Sequence, residues 1–167
     1  MKATILMLGG LLLFSPFATG QHKTSVTKKE AKAMRIEQAV NHRHLTISVN
    51  QAIPMGHPSI NLTSDYWVRL KNDSVWVYLP YYGRAYSVPY NGGGGFDFKG
   101  IRKNDQITQK KKQGYTWQFS VQTTEDNYQF DLWISLDGYA SISVNSNNRQ
   151  PISYYGECTL PDKASTR

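Results

Sequence analysis

The chain has 167 residues, 13% of them aromatic, with one cysteine and a formal net charge of +7. That length holds a single domain with one sizeable core, and a lone cysteine excludes an intrachain disulfide. The basic balance favours acidic surfaces such as phospholipid or lipopolysaccharide headgroups and acidic glycans, through attraction that salt weakens; in an exported chain, nucleic acid is not an expected partner.

Export is read from residues 1–20. Lys2 is a short basic head, Ile5 to Phe14 an apolar run, and Ala18-Thr19-Gly20 the small residues a signal peptidase inspects. The run is too short to anchor in a bilayer, and no cysteine follows it to carry a lipid. The expectation is a periplasmic or secreted protein that is neither membrane-spanning nor a lipoprotein. Residues 21–26 then form a mobile linker, 27–158 a single β domain with an N-terminal helix, and 159–167 a C-terminal tail.

The helix begins at a capping box, Thr27-Lys-Lys-Glu30, in which hydroxyl and carboxylate satisfy each other's backbone amides. Val26 and Ala31 occupy the positions of a hydrophobic staple. The helix is expected to run to about Val40, with Ala31, Met34, Ala39 and Val40 on a narrow stripe. So narrow a stripe places it against a sheet edge or barrel end, outside the core.

From there the apolar period becomes two, the signature of half-buried strands. Leu45, Ile47 and Val49 alternate with polar residues, and Pro54-Met-Gly56 marks a turn. Tyr66, Val68 and Leu70 lead to a tight turn at Asn72-Asp73, after which Val75, Val77 and Leu79 share a face. Phe96 and Phe98 resume a strand, and Ile107 sits in a separate, Lys-rich one ending at Lys110 to Lys112. Three clearer strands follow, carried by Tyr115, Trp117, Phe119 and Val121, then by Tyr128, Phe130, Leu132 and Ile134, then by Ala140, Ile142 and Val144. Asp137-Gly138 is a hairpin signal between the last two, and Ile152 with Tyr154 closes the series. The fold class is all-β: an antiparallel meander of about eight to nine strands, closed into a barrel or a strongly curled sheet, with one N-terminal helix. The large inward aromatics predict an interior filled by side chains.

One connection is too long for a plain hairpin. Tyr78 to Phe96 holds five tyrosines, two prolines, five glycines and a single arginine, Arg84. Long loops of this kind are functional or disordered, and disordered segments are poor in aromatics. Two roles fit it. Tyr81, Tyr82, Arg84, Tyr86 and Tyr90 present rings and a planar donor fork to a small polar ligand, a glycan or a peptide end. Alternatively, the loop folds back and plugs one end of the barrel. Arg149, in the polar turn Asn147-Asn-Arg-Gln150, either caps backbone carbonyls there or joins Arg84 in reading an anion.

The motif Tyr78-Leu-Pro-Tyr-Tyr-Gly-Arg-Ala-Tyr-Ser-Val-Pro-Tyr90 resembles an exported Bacteroidetes family catalogued as domain of unknown function 4251. Ala52-Ile-Pro-Met-Gly56, Leu62-Thr-Ser64, the glycine run before Phe96 and Asn148-Arg-Gln-Pro-Ile-Ser-Tyr154-Tyr-Gly156 look like the same family. The likeness covers nearly the whole mature chain, with Tyr82 standing where family members often have phenylalanine. It implies an envelope or secreted β domain of lipocalin-like barrel shape and no known activity.

Catalytic chemistry is harder to place. The carboxylates are scattered, and nothing in the sequence pairs Asp97 with Asp131 across a cleft as sugar hydrolysis requires. His42 and His44 would share a face of an extended strand, but no third ligand stands nearby and Arg43 lies between them. No metal or cofactor is expected, and no nucleophile elbow, phosphate loop or dinucleotide fingerprint occurs. The preferred reading is a non-catalytic binding module. The alternative is a structural module packing against another envelope protein, and an enzyme ranks third. Cys158 is expected to be wholly or partly buried.

Overall fold

The computed structural model describes residues 27–87, 94–111 and 113–160. The signal run, the linker with Val26 of the expected staple, Pro89, Tyr90, Gly92, Gly93 and the tail beyond Leu160 lie outside them. Among the described residues one helix, α1 (Lys28–Asn41), precedes eight strands: β1 (His44–Pro54), β2 (Ile60–Lys71), β3 (Ser74–Pro80), β4 (Gly95–Lys110), β5 (Gly114–Gln122), β6 (Asn127–Ser135), β7 (Tyr139–Ser146) and β8 (Ile152–Thr159). Each pairs antiparallel with its neighbour in sequence, and β8 pairs with β1 to close a barrel.

The helix starts where its capping box does. The Thr27 hydroxyl accepts from the Glu30 amide at 3.3 Å, and the Glu30 carboxylate accepts from the Thr27 amide at 2.9 Å. These bonds hold the Glu30 carboxyl below the usual carboxylate range. The buried stripe differs from the expected one. Ile36, Ala39 and Val40 are buried while Met34 stays exposed. Their i, i+3, i+4 spacing aims one face inward, so the last turns of α1 belong to the core after all.

Inward positions alternate along every strand, and their side chains fill the interior. Trp117, Tyr154, Phe96 and Phe130 are its largest fully buried members. Phe119 stacks on Phe130 at 5.1 Å between ring centres, and Phe98 stacks on Tyr128 at 4.6 Å. The barrel seam needs a glycine. Gly156 pairs with Val49, and a Cβ there would overlap the Ser48 carbonyl oxygen.

The two stretches expected around Phe96 and Ile107 form one strand, β4. Its inward alternation runs through Gly100 and Arg102, which hide the pattern in sequence. A bulge between Lys103 and Gln106 then lets the strand bend and continue, with Asn104 at φ 53° supplying the left-handed kink. Arg102 is therefore an inward arginine, its side chain fully buried. Its guanidinium lies over the Trp117 ring at 4.8 Å, and its Nη2 donates to the Asn72 carbonyl. Its Nε stands 3.2 Å from Asp105 Oδ1, an ion pair lacking hydrogen-bond geometry, and its Nη1 reaches no partner among the described residues. Burial pushes this guanidinium below its usual range, and Asp105 opposes the shift. Asp105 also accepts from Trp117 Nε1 at 2.6 Å and from Arg43 Nε at 2.8 Å.

Alternating strand direction sorts the connections onto two ends. The β2–β3, β4–β5 and β6–β7 turns share one end with α1, where Lys29 pairs with Asp137 at 3.3 Å. The other end, the mouth, carries the β1–β2, β3–β4, β5–β6 and β7–β8 connections. The β3–β4 crossover is the long loop singled out above.

Candidate functional site: a cleft at the barrel mouth

Three mouth connections are tied into one rim. The Asp126 carboxylate, in the β5–β6 turn, accepts from the amides of Asn127, Asn147 and Asn148 at 2.7–3.2 Å. The β7–β8 turn in turn pairs with the crossover, Ala85 bridging to Arg149. Tyr86 N–H donates to Asn148 O at 2.7 Å, and Gln150 N–H donates to Arg84 O at 3.0 Å. Tyr81 lies beneath, its hydroxyl on Arg84 O at 2.8 Å and Gln150 O at 3.2 Å. Lower still, the fully buried Tyr154 donates to Pro80 O at 2.6 Å. Burial raises the hydroxyls of Tyr81 and Tyr154 above the usual tyrosine range, so both stay protonated donors.

Beside this rim lies a cleft of about 1050 Å³. Tyr66 and Tyr78 to Tyr82 form one wall, Gln122 to Glu125 the other, and Gly94 to Lys99 run between them with Tyr128 and Arg149. On β4, Phe96 and Phe98 point inward while Asp97 and Lys99 point outward, yet all four line the same space. The cleft therefore cuts through the barrel wall. The pairing register gives the reason: β4 bonds β3 through Gly95 to Ile101 but begins its ladder with β5 only at Arg102↔Val121. Phe98, a core position, is left half-buried there.

Arg149 holds the head of this notch. It is 7% exposed, its guanidinium 5.0 Å from the centre of the Tyr81 ring and 5.2 Å from that of Phe96, and its Nη1 donates to Gly95 O at 3.3 Å. It caps a backbone carbonyl of β4, where the sequence reading placed the capped carbonyls in its own turn.

Of the residues singled out from sequence, Tyr81 and Tyr82 line the cleft, the first half-buried and the second exposed. Arg84 and Tyr86 are exposed on the crossover above it and do not line it. Tyr90 lies outside the described residues. In the described part of the crossover the backbone packs down on the mouth, while Tyr82, Arg84 and Tyr86 face solvent. Tyr66, Lys99, Lys103, Glu125 and Tyr128 went unrecognised because the notch arises from long-range register, which no local pattern encodes. His42 ends the helix, its ring nitrogen 2.7 Å from Gln38 O, so it shares no strand face with His44. Among the described residues no three of His, Cys, Asp and Glu cluster as metal ligands would. Cys158 is half-buried, and burial pushes its thiol up to about 12.

Barrel and cleft together define an eight-stranded antiparallel barrel with a single helix and a notched mouth. The chain belongs to the domain of unknown function family DUF4251, whose family model matches residues 27–158. It is similar to a solved structure, a DUF4251 family protein from Bacteroides eggerthii DSM 20697, at 20% identity and a TM-score of 0.63. The similarity covers 78% of this chain and 88% of that one. At that identity the likeness speaks for the fold. No curated protein matches the chain. Among the described residues no helix is long and apolar enough to cross a membrane.

Proposed function

We propose that this protein is an exported, non-catalytic binding module of the cell envelope that takes a small polar ligand, glycan or peptide in the mouth cleft. The observation that carries the reading is the composition of that cleft. Five tyrosine rings (Tyr66, Tyr78, Tyr81, Tyr82 and Tyr128) converge with Arg149, Lys99, Asp97 and Gln122 around a space of about 1050 Å³. Its size is that of small-ligand sites, and rings with a few fixed polar groups are their usual lining. Tyrosine faces stack on sugars or peptide groups while their hydroxyls reach polar partners. The rim is pre-organised, because Asp126 and the crossover pairing hold it in place, so little ordering entropy is lost on binding. Exposed Arg84, on a backbone held by Gln150 Oε1 at 3.2 Å, offers a donor fork at the entrance. The signal run of residues 1–20 supports export to the envelope.

A thermal-shift screen of the mature protein against envelope glycans and peptides tests this. A ligand should raise the wild-type midpoint, and Tyr82→Ala and Arg84→Ala should reduce that rise while leaving the unliganded midpoint within about 1–2 °C. If no compound moves the wild type, or the variants respond in full, the cleft is architecture alone.

A further inference from the structure

We infer that the ligand is an extended peptide segment, bound by strand addition to the open edge of β4 at Asp97 and Lys99. This deepens, and rests on, the reading of the cleft as a binding site. In an antiparallel ladder each residue turns its N–H and C=O to one neighbour, and the next residue turns them to the other. Arg102 N–H donates to Asp73 O at 2.8 Å, on the β3 side. Gly100, Phe98 and Phe96 therefore bond β3, and Lys99, Asp97 and Gly95 face the cleft. The carbonyl of Gly95 is taken by Arg149. The ladder to β5 begins at Arg102, so no described residue pairs with the backbone of Asp97 or Lys99 on that side.

Backbone without a partner among the described residues, beside a half-exposed core ring, is what a sheet shows where one strand is missing. Such an edge is a template for another chain. The cleft limits what fits. Gln122 to Glu125 stand as its far wall, so an occupant lies between them and β4. The β4 of a second copy would bring β3 with it on its other edge, bulk that a lone peptide lacks. A lone peptide supplies the missing N–H and C=O groups, and its side chains alternate across the wall. Inward ones cover Phe98 and Tyr128, which calls for apolar residues. Outward ones meet Tyr78, Asp97 and Lys99, which calls for polar ones. Two exposed cations, Lys99 and Lys103, stand with two exposed carboxylates, Asp97 and Glu125, in the lining, so polar outward residues of either charge find a partner.

The probe is a random linear peptide library displayed on phage and selected on the mature protein, followed by amide hydrogen exchange with a selected peptide. In the free protein the amides of Asp97 and Lys99 should exchange fast and those of Phe96, Phe98 and Gly100 slowly. Bound peptide should slow the first pair at least about tenfold. Lys99→Pro removes a cleft-facing N–H and spares the β3 ladder, so it should weaken binding about tenfold while Lys99→Ala keeps it within about twofold. Asp97 and Lys99 amides already protected in the free protein, or protected only in a concentration-dependent dimer, overturn the inference. So do selected peptides that bind without protecting them, or equal losses in the two Lys99 variants. Response to glycans with none to peptides overturns strand addition but leaves the cleft reading intact; no response to either removes both. Should Lys99→Pro fail to fold, the wild-type exchange pattern decides alone.

Discussion

Arg102 and Asp105 form an ion pair, yet removing one partner should cost far more than removing the other. Arg102 has a fully buried side chain, its nearest carboxylate is Asp105 at 3.2 Å, and its Nη1 has no partner among the described residues. Asp105, 18% exposed, has in addition Arg43 at 2.8 Å and the Trp117 indole at 2.6 Å. Asp105→Ala therefore strands a buried charge and an indole N–H together. The expected cost is about 3–5 kcal/mol, a drop in midpoint of roughly 10–25 °C for a domain of this size. Arg102→Met leaves Asp105 with two donors, keeps an unbranched chain over Trp117 and frees Asn72 O to bond water. Its expected effect is within about 1 kcal/mol of wild type, in either direction. Urea unfolding followed by tryptophan fluorescence reads both, and an unchanged slope confirms that stability alone has moved. Equal losses in the two variants would refute the reasoning.

Tyr154→Phe deletes one buried hydroxyl and orphans Pro80 O, which should cost about 1–2 kcal/mol and loosen the crossover, visible as faster exchange at Tyr86 and Gln150. Burial raises Tyr154, Tyr128 and Cys158, so on the alkaline side the unfolded chain ionises first and binds fewer protons than the folded one. Their contribution is complete below about pH 9 and declines as pH climbs toward their folded values; urea midpoints at pH 7 and 11 should show the fall, and Tyr154→Phe should flatten it. The Cys158 thiol, raised to about 12, should resist iodoacetamide in the folded protein at pH 8 and react once urea unfolds it. Gly156→Ala should destabilise by about 1–3 kcal/mol through its clash with Ser48 O, measured in the same urea assay.

The elements that sequence reveals best here are those written by neighbours. The Thr27–Glu30 box lies within one turn, and the strand alternation of β5 to β7 is spelled out by residues two apart. Asn72 adopts its turn at φ 52° and Gly138 at φ 92°, each where a short polar or glycine residue marked the hairpin. Non-local features stayed hidden. β4 looked like two strands because Gly100 and Arg102 interrupt its apolar face, and because an asparagine rather than a glycine makes its bulge. The helix stripe was misplaced by Met34, whose apolar side chain turns to solvent. At the mouth, tyrosine density drew attention to the right connection, but the space beside it is bounded by β5 and β6. Which rings share it depends on where β4 leaves β3 and joins β5.

Closure of the barrel carries a kinetic consequence. Ser48 of the first strand meets Thr159 of the last across 111 residues of chain, at 2.9 Å between hydroxyls. Until β8 has been made, β1 has no neighbour on that flank, and the cylinder cannot seal. Pairings this distant make folding slow, so a nascent chain emerging N-terminus first leaves the barrel incomplete and open to a holding chaperone until β8 is free to pair.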